Sequence, residues 1–300
     1  MEKEMAEYRR FTGPAELHKA INQLRGMLGG ISADGNMSEA EVAEFMHWCS
    51  LHENLRKKHP FSEILPLIED AMRDGEIDEE ERQDILWVCS NFVNDSHYYD
   101  VVVSSIQFLL GLVHGIMADG ELGDREVSAL NAWLEHNDYL KGTYPFDELE
   151  SLLLDIMRDR HISEEERGRL TAFLSSVIEY RDSLNLTVAQ FQDLREEYSV
   201  DGICAVCPDV SFRHKIFVLS GEFIEGSKKQ VAEVIQRYGG EVKSNVSKYT
   251  DYVIVGNLGN QCWKFSCYGR KIDEAMQLRK NGGKVQIVNE NDFWDAVNDY

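Results

Sequence analysis

Lys215-Ile-Phe-Val-Leu-Ser-Gly221 and Thr250-Asp-Tyr-Val-Ile-Val-Gly256 decide the fold of the C-terminal third of the chain. Each is a short β-branched or aromatic run closed by a glycine, the pattern of a strand buried on both faces. Between them Ser227–Tyr238 has helical spacing and is stopped by Gly239-Gly240. Arg270–Lys280 reads as a second helix, stopped by Asn281-Gly-Gly283. Val285-Gln-Ile-Val288 is a further strand, and Asp292–Val297 a terminal helix. Strands alternating with helices predict a parallel sheet covered by helices.

Upstream, the chain repeats itself. Shifted by 85 residues, Gly30-Ile-Ser-Ala-Asp-Gly35 falls on Gly115-Ile-Met-Ala-Asp-Gly120, Trp48 on Trp133 and Pro60-Phe61 on Pro145-Phe146. Glu79-Glu-Glu-Arg82 falls on Glu164-Glu-Glu-Arg167, so the register is gapless through the loops. This implies duplication of one compact unit. Apolar residues at three- and four-residue spacing predict four helices per unit, near 14–30, 39–52, 61–72 and 79–93, with Pro14 suited to a first turn. Trp48 and Trp133 are expected to supply the surface that joins the two units. A polar helix near 187–198 and a linker at 199–208 follow. The expected organisation is multidomain: residues 1–98 and 99–183 as an all-α tandem helical repeat, 184–210 as helix and linker, and 211–300 as a small α/β domain.

Composition places the chain among folded soluble proteins, with 43% hydrophobic and 28% charged residues. Met1–Arg10 carries no apolar signal stretch, and a cytoplasmic location is expected. The charge is uneven. From Ser211 onward 13 Lys+Arg meet 11 Asp+Glu, a balance of +2, which leaves 18 basic against 42 acidic residues, or −24, in the first 210. So acidic a surface repels nucleic acid and membranes, so any contact with DNA is assigned to the C-terminal part.

Phe217-Val-Leu-Ser-Gly221, Gly239-Gly240, Thr250–Gly256, Lys271-x-x-x-Ala275 and Glu290-x-x-Phe293 stand in the order of a BRCT domain, and residues 212–300 resemble that family, most nearly its bacterial DNA-ligase, clamp-loader and exonuclease-associated types. The resemblance implies a four-stranded parallel sheet. It also implies a phosphate site in which the residues matching Ser220, Gly221 and Lys271 hold the anion and Lys228 assists; as accessory positions, Lys229 and Arg270 add charge nearby in sequence, and Trp263, in a loop between strand and helix, suits stacking on a base or peptide. A hydroxyl, a glycine amide and a lysine at a helix N-terminus suit that chemistry. The alternative for the same residues is a turn glycine and an exposed lysine in a BRCT domain that only docks proteins.

Four loops, Asp34-Gly35 with Glu41, Asp74-Gly75 with Glu81, Asp119-Gly120 with Glu126, and Asp159-Arg160 with Glu166, resemble the back half of an EF-hand. The front-half carboxylates are missing, with Gly30 and Ser32 at the first two ligand positions of the first loop, so calcium binding is not expected. Ser38-x-x-Glu41, Asp78-x-x-Glu81 and Ser163-x-x-Glu166 read as capping boxes. The helix–Ala-Asp-Gly–helix arrangement resembles TerB-like (tellurite-resistance) domains over about 15–180. That resemblance implies Asp34, Glu41, Asp119 and Glu126 as metal candidates, without a complete ligand set. Cys204, Cys207, Cys262 and Cys267 could supply four thiolates, with small buried cysteines the alternative.

No ligase K-x-D-G is present: Ser32, Met72, Met117 and Ser199 precede the four Asp-Gly pairs by two. No phosphate loop, G-x-S-x-G or H-E-x-x-H occurs either. The expected function is therefore a non-enzymatic adaptor without cofactors, serving DNA repair, replication or genome defence. Its acidic repeats dock a protein partner and its C-terminal domain recognises a phosphorylated protein or a DNA 5′-phosphate. The alternatives are a direct DNA-end binder and a metal-dependent enzyme using the acidic residues of the repeats.

Overall fold

The structure is a computed structural model that describes residues 2–31, 33, 37–73, 77–94, 101–159, 161–178, 183–185, 193–194, 197–198, 204–256 and 270–300. Eleven helical segments precede the first strand among these residues. They are α1 (Glu2–Ile31), α2 (Glu39–Leu51), α3 (Phe61–Ala71), α4 (Glu79–Asn94), α5 (Val101–Ile116), α6 (Asp124–His136), α7 (Phe146–Ile156) and α8 (Glu164–Val177), with single 3-10 turns at 53–55, 138–140 and 157–159. The helix order recurs at the 85-residue offset, including cis peptides at His59–Pro60 and Tyr144–Pro145. α1 starts well before Pro14, because the residues ahead of it include good helix formers such as Glu2, Glu4, Ala6 and Arg9. Most of the polar helix expected at 187–198 lies outside the described residues.

The chain divides into two compact units that cut across the sequence repeat: residues 1–133 with 174–192, and 134–173 with 193–300. In the first, Ile21, Leu24, Met27, Leu28 and Ile31 of α1 are buried with Phe45 and Trp48 of α2, Ile64 and Ile68 of α3, and Ile85 and Cys89 of α4. Four glycines let α1 and α5 meet backbone to backbone. A Cβ on Gly26 would stand 2.0 Å from Phe108 O, and one on Gly111 2.0 Å from Gln23 O. One on Gly30 would stand 2.4 Å from Leu112 O, and one on Gly115 2.3 Å from Met27 O. These contacts are reciprocal at the 85-residue offset, so a local two-fold axis relates the helices. Near it Asn22 Nδ2 donates to Gln107 Oε1 at 2.8 Å, one repeat-equivalent residue to the other. Trp48 is buried and lines a small cavity with Leu110, Gly111 and His114 of α5, while Trp133 stacks on Phe108 at 5.7 Å. Both tryptophans therefore flank the junction, and the glycines make its closest backbone approach.

The buried Glu44 carboxylate lies 2.7 Å from His114 Nε2 and accepts the amides of Leu184 (2.7 Å) and Asn185 (2.9 Å). Burial alone would push this carboxyl up. The bonds from His114 and the two amides outweigh it and hold the group below the usual range.

The second unit contains a four-stranded, all-parallel sheet in the order β2-β1-β3-β4: β1 (Ile216–Ser220), β2 (Glu241–Lys243), β3 (Tyr252–Val255) and β4 (Gln286–Asn289). Helices α9 (Lys228–Arg237), α10 (Arg270–Lys280) and α11 (Glu290–Asp299) connect and close it. Phe212, Phe217, Ile235 and Phe293 fill one face, and Val218, Val253, Ile272 and Ile287 the other. Residues 199–208 are not a plain linker where they are described. Cys204 is fully buried in the second of these cores, and Ala205 N donates to Ile287 O at 2.8 Å.

One buried ion cluster ties α10 to α7. Arg279 Nε donates to Glu148 Oε1, Nη1 to Val285 O (2.7 Å), and Nη2 to Asp147 Oδ2 (3.0 Å), Glu148 Oε2 (3.1 Å) and Thr143 O (3.1 Å). Asp147 also accepts Gly142 N at 2.7 Å. Burial pulls the guanidinium down, but Glu148 and Asp147 more than offset it and keep it cationic. Two carboxylates share one cation, and burial pushes both above the usual carboxyl range.

Candidate phosphate site

β1 delivers Ser220 to the carboxyl end of the sheet, where parallel α/β folds gather ligands. Ser220 pairs with Val255 of β3 in register, so the ends of the two strands lie side by side. The chain then turns through Gly221, whose φ of +71° is a left-handed conformation suited to glycine. The turn lifts the following loop across the end of β3. A Cβ on Gly256 would stand 2.2 Å from Glu222 O, so this crossing needs a residue without a side chain. Gly256 N donates to Ser220 O at 3.0 Å.

Lys271, in the first turn of α10, reaches back to the same place. Its Nζ donates to Leu219 O at 2.8 Å, one residue before Ser220. The structure thus brings Lys271 beside the Ser220–Gly221 step although 51 positions separate Lys271 from Ser220. Ser220 is buried, and among the described residues its hydroxyl has no hydrogen-bond partner.

Glu290 completes the local framework and was not singled out from sequence as a site residue. It opens α11 just after β4, is 1% exposed, and accepts Ile224 N (3.0 Å) on Oε2 and Glu225 N (2.7 Å) on Oε1. These are backbone donors that an oxyanion could otherwise use. Glu290 thus occupies both amides of the loop that follows Gly221. The landmark Glu290-x-x-Phe293 contained the signal, since a carboxylate one turn before a core phenylalanine faces inward.

The remaining sequence candidates are less central. Ser227 caps α9 in a capping box with Gln230, which leaves Lys228 and Lys229 exposed on the first turn. Lys229 Nζ lies 4.0 Å from Glu233. The Arg270 side chain and Trp263 lie outside the described residues, as do Asp34, Cys262 and Cys267. The other acidic candidates serve the chain locally. Glu41 accepts Ser38 N at 2.6 Å, Glu126 accepts Gly123 N at 2.5 Å, and Asp119 accepts Glu121 N at 2.8 Å. Glu81 and Glu166 accept Asp78 N and Ser163 N in the same way, so the glutamate that mimics position twelve of an EF-hand is the N3 residue of a helix cap. Calorimetry of the full chain with millimolar calcium is expected to show no heat beyond dilution, and a micromolar site would overturn that reading. Among the described residues no three His, Cys, Asp or Glu side chains group as metal ligands. Cys204 is disulfide-bonded and Cys207 is an exposed free thiol, so the C-x-x-C pair does not present two thiolates together.

Comparison with known proteins decides the module. The family model described as BRCA1 C Terminus (BRCT) domain matches residues 211–297. These residues form a BRCT domain. Similar curated proteins include the DNA ligases of Endomicrobium trichonymphae, 34% identical over 83 residues (27% of this chain and 12% of the ligase), and of Thermosipho africanus, 32% identical over 83 residues (28% and 10%). The DNA ligase of Acetivibrio thermocellus is 28% identical over 132 residues, 40% of this chain and 18% of the ligase. The chain thus covers less than a fifth of these relatives, and its BRCT domain carries the likeness. No described helix is long and apolar enough to cross a membrane.

Proposed function

We propose that this protein is a non-enzymatic adaptor whose BRCT domain grips a phosphate group and whose acidic helical repeats dock a protein partner, in DNA repair, replication or genome defence. The observation that carries the reading is the hydrogen bond from the Lys271 ammonium to Leu219 O at the end of β1, one residue before Ser220 and the Gly221 turn. A phosphate entering there gains charge-assisted hydrogen bonds, each worth about 1.5–3 kcal/mol. The balance of −24 over residues 1–210 favours a phosphorylated protein over a DNA 5′-end, because it repels the polyanion. The likeness to DNA ligases makes the DNA end the competing ligand.

The test measures binding of the full chain to 5′-phosphorylated duplex, unphosphorylated duplex and a phosphopeptide library. Lys271→Ala is expected to weaken the phosphate-dependent component about tenfold to a hundredfold, with Lys271→Arg retaining most of it and both variants folded. Unchanged binding by Lys271→Ala makes the module a plain docking surface. Preference for the phosphorylated duplex selects the DNA-end reading instead.

A further inference from the structure

We infer that the first helical repeat carries an open receptor for an arginine side chain of a partner protein, the counterpart of the closed receptor that holds Arg279 in the second. The internal repeat supplies the comparison. In the second repeat Asp147, Glu148 and Ser151 of α7 are at most 3% exposed, because the BRCT domain covers them and Arg279 enters between them. At the 85-residue offset these positions are Ser62, Glu63 and Pro66 of α3, and all three are exposed. The same helix face is thus filled in one copy and bare in the other.

The bare copy keeps the chemistry that reads a guanidinium. Glu63 stands where Glu148 does, and its side chain is 60% exposed. Its Oε1 lies 2.9 Å from His59 Nδ1, and its Oε2 has no partner among the described residues. The carbonyl of Lys58, which accepts Ser62 N at 2.9 Å, stands where the carbonyl of Thr143 accepts both Asp147 N and Arg279. The second carboxylate is lost, Asp147 being matched by Ser62. In exchange Trp87 stands where the second repeat has Ala172, and it is 67% exposed. Glu63, Trp87, Phe92 and His59 line one cleft of about 470 Å³. His18 stacks on Phe92 at 4.8 Å and stiffens that wall. A planar guanidinium can lie on the indole and bond the carboxylate at once, which an ammonium does poorly, so the site selects arginine over lysine.

The rim fixes the surroundings of that arginine. Lys57 and Lys58 replace Gly142 and Thr143, and both are exposed. They disfavour a basic segment and suit an arginine flanked by acidic residues. This inference is independent of the phosphate site.

The experiment passes a library of 12-residue peptides over the immobilised full chain. Each peptide carries a central arginine, lysine, alanine or phosphoserine, with acidic or basic flanks. Arginine peptides with acidic flanks should be retained. Glu63→Gln and Trp87→Ala should each weaken the retained peptide about tenfold, with unchanged thermal unfolding because both side chains are exposed. Lys57→Glu with Lys58→Glu should reverse the flank preference. The inference is overturned if no peptide is retained, if phosphoserine or lysine peptides win, or if binding survives both Glu63→Gln and Trp87→Ala.

Discussion

Replacing Arg279 with alanine should destabilise the second unit by about 3–5 kcal/mol, the range for removing one partner of a buried ion cluster. Asp147 and Glu148 would be left in an apolar interior with no cation, at 3% and 1% exposure. The pH dependence identifies the cause. Burial already raises both carboxyls, so the folded form binds more protons than the unfolded chain. Such a group favours folding below its unfolded pKa, and the contribution is lost as pH rises through the raised folded value. In Arg279→Ala the raised carboxyls lack their counter-charge, so the loss should be largest near neutrality and shrink as pH falls towards the carboxyl range. Hydrogen exchange in α7 and α10, followed with urea unfolding from pH 7 to pH 4.5, would report it. Combining Arg279→Met with Glu148→Met should recover roughly half of the loss, since a buried pair replaced by apolar groups is often neutral. A cost under about 1 kcal/mol, or one that does not vary with pH, would show that the cluster holds α10 against α7 only loosely.

What the sequence displays depends on how many neighbours a signal needs. The β1, β3 and β4 runs are legible because a strand buried on both faces must be apolar at every step. Glu241-Val-Lys243 is not, because β2 is a three-residue edge strand whose polar side chains face water. The meeting of Lys271 with the end of β1 follows from a general rule of parallel sheets, so a juxtaposition across 51 positions can be anticipated. Arg279 offers no such rule. Followed by Lys280 at a helix end, it reads as one of two cations answering the dipole, and Asp147-Glu148 reads as an acidic first turn. Only the tertiary fold shows that these two ordinary features meet. Glu290 is intermediate: its place as a landmark is visible, while its hold on the Ile224 and Glu225 amides is not. The glycine junction is different, for its signal stands in the sequence. Gly26-x-x-x-Gly30 and Gly111-x-x-x-Gly115 recur at the repeat offset inside helical runs, where glycine is disfavoured, and that cost implies a close approach.

That junction yields the second large effect, and two adjacent glycines separate its causes. Gly30→Ala should destabilise the first unit by about 3 kcal/mol, the upper end for overpacking. Its Cβ would fall 2.4 Å from Leu112 O and 2.6 Å from Ile116 N, which are backbone atoms that cannot swing aside. The helices would have to part, and the Asn22–Gln107 bond would part with them. Gly115→Ala should behave alike, because its Cβ meets Met27 O at 2.3 Å from the opposite side of the axis. Gly29→Ala carries the opposite expectation. The nearest atom to its Cβ is a side-chain carbon of Leu112 at 3.7 Å, which is ordinary contact. There alanine gains helix propensity without a clash, and stability should rise by up to about 1 kcal/mol. Thermal unfolding of the three variants followed by circular dichroism decides the matter. If Gly29→Ala and Gly30→Ala shift the transition in the same direction, helix propensity rather than contact between α1 and α5 governs this segment. Opposite shifts locate the crossing to within one residue.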